Sequence, residues 1–210
     1  VDQTPDQTAP GIRGTDILNG APIAMGTTSA DVHVYVNEPV SGCKWSPNNY
    51  DYANMENDMT CPNIINTKGG FAGTFPCIAH LNGLKDSMTN DFYFLCEDAI
   101  GNVATQSYYF SLIGTQALAI TSVSPTDDAV IKDSTDSVKV TLRAVTSGGF
   151  SQGKAKCSYS TTGNTGTYTQ FAVTNSYQHS KELSLPQGGY TYYIKCIDLG
   201  GNQDANKTKF

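Results

Sequence analysis

Six cysteines, three histidines and a few neighbouring acids are the side chains of this 210-residue chain with reactive chemistry to offer. The cysteines are Cys43, Cys61, Cys77 and Cys96 in the first half, and Cys157 and Cys196 in the second. None forms a Cys-x-x-Cys pair or the Cys/His spacing that holds zinc. An even number in each half points instead to disulfides, which persist in oxidising compartments. His33, His80 and His179 sit in no His-Glu-x-x-His motif, and the chain has neither a Gly-x-Ser-x-Gly elbow nor a phosphate loop. Glu97/Asp98 and Asp127/Asp128 are adjacent in sequence. On strands such neighbours face opposite sides and make poor acid/base partners. Asp127, Asp128, Asp133 and Asp136 lack the glycine spacing of a calcium loop and read as solvated turn acids. The expectation is a protein with no catalytic residues, no metal and no cofactor.

The elements that carry these side chains are written twice. FYFLCEDAIGN at 92–102 and YYIKCIDLGGN at 192–202 share two aromatics, a cysteine, and then Asp-x-x-Gly-Asn. Period-2 alternation puts Phe92, Phe94 and Cys96 on one strand face, and likewise Tyr192, Ile194 and Cys196. Asp98 and Asp198 then open a tight turn, where a carboxylate can accept backbone N–H groups and glycine can take a positive φ. A metal or catalytic carboxylate is the other reading of these acids; their recurrence in the same turn favours the cap. His80 and His179 read as equivalent positions of the repeat, and so as structural.

The repeat extends along both halves. ADVHVYVNEP (30–39) and SVKVTLRAVT (137–146) alternate as half-buried strands. GCKWS (42–46) answers KCSYS (156–160), and AHLNGL (79–84) answers QHSKELSL (178–185). VATQSYYFSLI (103–113) and QDANKTKF (203–210) close the two copies. Short strands separated by turn signals, with no sustained helical periodicity, predict an all-β chain of two β-sandwiches. With 39% apolar residues, a core for each is available. The net charge of −6 and the absence of a basic cluster exclude a nucleic-acid footprint. No apolar run is long enough for a membrane span, and no signal peptide opens the chain.

If the Cys-bearing strands are neighbours, the repeat favours bridges Cys43–Cys96 and Cys157–Cys196. Cys61–Cys77 would then staple an insertion at about 50–78 that only the first copy carries. Four cysteines permit three connectivities, so the repeat does not force this choice.

DQTAPGI (6–12), VYVNEPVSGCKWS, HLNGL and FYFLCEDAIGN resemble the immunoglobulin-like repeats of large prokaryotic surface and secreted proteins, and the second copy matches through CSYS and YTYYIKCIDLGGN. The resemblance implies two tandem, disulfide-bonded immunoglobulin-like sandwiches, extracellular or on a cell surface. Departures are visible too. The first cysteine lies beside the aromatic of the presumed third strand, so the bridge would stay within one sheet. Phe94 and Ile194 replace the tyrosine that antibody domains place two residues before the second cysteine.

Residues 15–114 and 117–210 are expected to be the two domains, joined by a very short stretch at Gly114–Gln116. Residues 1–14 read as an extended linker or a strand exchanged with a neighbour. The functional expectation is a non-enzymatic structural subunit or segment of a filament, pilus-like fibre or large adhesin. Its partners would be copies of itself or adjoining repeats. The rival readings are an adhesion module that binds glycans or proteins, and an accessory domain of a secreted hydrolase. Tyr50 and Tyr52 in the insertion are the candidate ligand-binding residues, within a wider set of Trp45, Tyr108, Tyr109 and Tyr193 that would stack on sugars. Asn206 heads the only Asn-x-Ser/Thr sequon, a possible glycosylation site.

Overall fold

A computed structural model describes residues 7–132, 134 and 136–210. Asp133, and the first six residues of the expected linker, lie outside the described residues. The described residues fold as two compact units, 7–21 with 26–114, and 22–25 with those from 115 to 210.

The first unit contains β1 (Ile12–Thr15), the start of β2 (Ala21–Ile23), β3 (Ser29–Val36), β4 (Gly42–Ser46), β5 (Asn57–Asp58), β6 (Phe75–Asn82), β7 (Thr89–Glu97) and β8 (Tyr108–Gly114). One sheet runs β1-β3-β6; the other runs β2-β8-β7-β4-β5. Alternation decides what each strand buries. Val32, Val34 and Val36 of β3 point inward with Cys77, Ala79 and Leu81 of β6, while Asp31, His33 and Tyr35 point out. From the opposite sheet come Trp45, Phe92, Phe94, Phe110 and Leu112, with Trp45 edge-on to Phe92 at 5.5 Å. Each such side chain, removed from water, contributes roughly 1.5–3 kcal/mol.

In the second unit the strands are β9 (Leu118–Ser124), β10 (Ser137–Gly148), β11 (Ala155–Ser160), β12 (Thr169–Gln170), β13 (Gln178–Pro186), β14 (Thr191–Asp198) and β15 (Gln203–Lys209). They pair as β9-β10-β13 and β12-β11-β14-β15. Leu118, Ile120, Leu142, Ala144, Ala155, Cys157, Phe171, Tyr192, Ile194 and Cys196 form its core. Residues 22–25 belong here through Thr115, whose N–H and Oγ1–H both donate to the Ile23 carbonyl. The Met25 N–H also donates to Asn202 Oδ1 at 2.8 Å.

Apart from β2, an extra edge strand beside β8 in the first unit, the order of strands is the same in both units, and the shared neighbours pair antiparallel. The chain is all-β, two immunoglobulin-like sandwiches in series with three disulfides. Among the described residues, no helix is long and apolar enough to cross a membrane.

Two boundaries differ from the sequence reading. Residues 12–14 are not linker: they enter β1 and pair with β3 of the same chain, across a bulge between Ile12 and Gly14. The insertion is also smaller than 50–78. Its β5 pairs with β4 as β12 pairs with β11, so that hairpin has a counterpart, and residues 75–78 already belong to β6. Alternation had marked HLNGL as strand, but the proline in Phe75-Pro76-Cys77 hid the strand's beginning.

Candidate functional site

The repeated turn is closed on itself. Asp98 Oδ1 accepts the N–H groups of Ile100 at 2.9 Å and Asn102 at 2.8 Å, and Oδ2 accepts Asn102 Nδ2 at 2.7 Å. Gly101 takes a φ of 91°, a conformation that suits glycine. Burial by itself would raise the Asp98 pKa, but hydrogen bonds from Asn102, Ile100 and Gly101 outweigh it and hold the carboxyl below its ordinary value. Asp198 repeats the pattern with Asn202 at 2.8 Å for both N–H and Nδ2, and Gly201 at a φ of 87°. Its Oδ2 also accepts the Phe150 N–H at 2.6 Å. Carboxylates engaged in this way cap the turn.

The sulfurs are the most concentrated chemistry in the molecule. Cys43 and Cys96 face each other directly across β4 and β7, and Cys157 and Cys196 across β11 and β14; both pairs are bridged. The third bridge joins Cys61, in the segment after β5, to Cys77 on β6. All six cysteines are therefore oxidised, none is free, and such bridges mark an oxidising compartment.

Each cross-strand bridge meets one more side chain from the facing sheet. In the first unit it is Cys77, opposite Val34, whose Sγ lies 3.5 Å from Cys43 Sγ. In the second it is His179, opposite Ala144, with a ring nitrogen within 4.8 Å of both sulfurs. His179 is 2% exposed. Its Nε2 and Nδ1 each lie 3.0 Å from a threonine hydroxyl, those of Thr146 and Thr174. Burial lowers its pKa, favouring the neutral ring.

His80 does not occupy that position. It points outward from β6 and pairs with Asp31 at 2.5 Å, as His33 pairs with Asp16 at 2.8 Å. The equivalent of His179 is Cys77, three residues from His80. An odd slip in register sends a side chain to the other face of a strand. Among the described residues, Cys43/Cys61/Cys77 and Cys157/His179/Cys196 are the two clusters of three metal-ligand types, but every sulfur in them is in a disulfide.

Tyr50 and Tyr52 line one groove of about 500 Å³ with Asn49, Asp51, Glu97 and Ser107. Tyr50 is 44% exposed. Burial, then the negative charges of Glu97 and Asp58, raise the Tyr52 pKa, and Lys44 Nζ sits 5.1 Å from its ring centre. The wider aromatic platform does not form. Trp45 is buried in the core. Tyr108 stacks on Phe94 and Tyr109 leans on Tyr93, cross-strand pairs that stabilise the sheet. Tyr193 packs under the loop at Gly163. A larger cavity of about 650 Å³ lies in the second unit among Val130, Ile131, Val138, Leu185, Tyr190 and Phe210. Asn206 is exposed on β15, while Thr208 of its sequon is buried and donates to the Pro125 carbonyl.

No protein-family model and no curated protein matches the chain. Among solved structures it is similar to Rst D1-D2, with a TM-score of 0.41, 11% identity, and 96% and 98% of the two chains covered. It is also similar to DIP-gamma IG1+IG2 (0.33, 10%, 96% and 96%) and to the D00-D0 domain of Intimin (0.31, 10%, 96% and 98%). At these scores the likenesses carry no argument; the fold stands on the strand order and bridges above.

Proposed function

We propose that this chain is a non-enzymatic, extracellular, load-bearing segment of a cell-surface filament, pilus-like fibre or large adhesin, of the prokaryotic kind its motifs resemble. The observation that carries the reading is the bridge at one ladder position in each sandwich, joining neighbouring strands of a single sheet. Such bridges enclose 53 and 39 residues and keep them from extending when the chain ends are pulled. At about 3.4 Å per residue, that withholds roughly 180 Å and 130 Å of stretch. The turn acids and all three histidines are already engaged in internal hydrogen bonds or ion pairs, so none of them stands out as a catalytic group. Copies of itself or adjoining repeats are the partners this role requires. Single molecules pulled with and without reductant test it: contour length should grow by those two increments on reduction. Equal lengths in both states would remove the mechanical role.

A second reading rests on the Tyr50/Tyr52 groove, where ring faces and the acceptors Asp51, Glu97 and Asn49 suit the hydroxyl groups of a glycan. On a glycan array the Tyr50→Ala and Tyr52→Ala variants should bind about tenfold more weakly, equivalent to about 1.4 kcal/mol. An intact chain that binds no glycan sinks this reading and leaves the first untouched.

A further inference from the structure

We propose that the four sulfurs of the first unit form a thiol–disulfide exchange centre, entered by a small external thiol at Cys61. The two bridges there are not independent. Cys43 and Cys77, from different bridges and different sheets, have their sulfurs 3.5 Å apart. Neither carries a hydrogen, so this is direct sulfur–sulfur contact. Cys61 completes a group whose sulfurs all lie within 4.8 Å of one another. Access is unequal: Cys43, Cys77 and Cys96 are each 1% exposed, whereas Cys61 is only partly buried. Exchange needs a thiolate, an accessible sulfur to attack and a leaving sulfur. The cluster offers the last two and a place for the leaving sulfur to go.

The steps balance without an oxidant. The external thiolate attacks Cys61 Sγ, forming a mixed disulfide and breaking Cys61–Cys77. The electron pair leaves on Cys77 Sγ, now a thiolate in contact with Cys43. Cys77 attacks Cys43 Sγ, forming Cys43–Cys77 and breaking Cys43–Cys96. The pair leaves on Cys96 Sγ, which takes a proton from water. The number of S–S bonds is conserved. What changes is the lock: a clamp between neighbouring strands β4 and β7 becomes a tie between β4 and β6 in opposite sheets. The second unit is an internal control, because His179 fills the place of Cys77 and offers no sulfur to exchange.

The test maps bridges in the native chain after substoichiometric glutathione at about pH 8, where small thiols are partly ionised. Alkylation with N-ethylmaleimide stops exchange, and unreduced tryptic peptides are read by mass spectrometry. Cleavage at Lys44, Lys68 and Lys85 puts each of the four cysteines on its own peptide. The expected products are a Cys43–Cys77 link, glutathione on Cys61, alkylated Cys96 and an intact Cys157–Cys196. Glutathione on Cys61 with Cys77 alkylated and Cys43–Cys96 intact overturns the proposal. So does glutathione on Cys77, or opening of Cys157–Cys196 ahead of Cys61–Cys77. A Cys61→Ser variant gives a second readout, since its Cys77 thiol should pass to Cys96 with no thiol added. Retention of that thiol on Cys77 alone overturns the relay, and a variant that fails to fold leaves the wild-type map to decide.

Discussion

The two sandwiches share strand order, bridge position and closing turn, yet they seal the same spot against the bridge in opposite ways. On β6 the inward side chain is Cys77, tied covalently to Cys61 in the segment outside the sheets. On β13 it is His179, held between the hydroxyls of Thr146 and Thr174. In the chain-entropy account a bridge closing 16 residues contributes about 3 kcal/mol, against about 1 kcal/mol for each neutral hydrogen bond. A covalent seal is indifferent to pH but open to thiols. An imidazole seal is indifferent to thiols but open to protons. One scaffold thus has two different weaknesses, and each belongs to one unit only.

The largest effect that would sharpen this comparison comes from the bridge both units share. Replacing both cysteines of a pair by alanine, Cys43/Cys96 or Cys157/Cys196, should cost each unit about 4 kcal/mol for loops of 53 and 39 residues. Denaturant unfolding of the full chain would show this as one transition moving while the other stays. The first unit would still hold one cross-link, Cys61–Cys77, although not between β4 and β7. The second has nothing to fall back on. Equal and small losses, below about 1 kcal/mol in both, would mean that the bridges are not what separates these units from ordinary sandwiches.

How far this comparison was legible in the sequence depends on period 2. Alternation placed Phe92, Phe94 and Cys96 on one face, and all three are buried. The repeated Asp-x-x-Gly-Asn could be read as a cap because a turn needs those residue types where they stand. Alternation failed where the two copies have different lengths between landmarks. Matching His80 to His179 by residue type slipped the register by an odd number, and so missed that Cys77 and His179 are the equivalent pair. Counting from the buried strand opposite, Val34 against Cys77 and Ala144 against His179, recovers it. Trp45 was misplaced for a related reason: a tryptophan two residues after an inward cysteine must also face inward. The contact between Cys43 and Cys77 joins two sheets, and no spacing along one strand encodes it.

The smaller and more selective test uses the proton. Burial lowers the pKa of His179 in the folded state, while the unfolded chain has the ordinary value of about 6.5. As pH falls below about 6.5 the unfolded state gains its proton first, so unfolding becomes easier. The contribution of the neutral ring is therefore complete above that pH. It is lost as pH falls toward the folded pKa, at up to about 1.4 kcal/mol per pH unit. The neighbours Thr146, Thr174 and Phe171 are uncharged and supply no ion to offset it. Unfolding of the full chain at about pH 7.5 and about pH 5.5 should show the second transition weakening more than the first. His179→Gln keeps a donor and an acceptor but cannot titrate in this range, so it should remove most of that difference even if it lowers stability at both pH values. If the native chain and the variant lose the same amount on acidification, the imidazole is not the acid-sensitive element, and the contrast between the units reduces to their sulfurs.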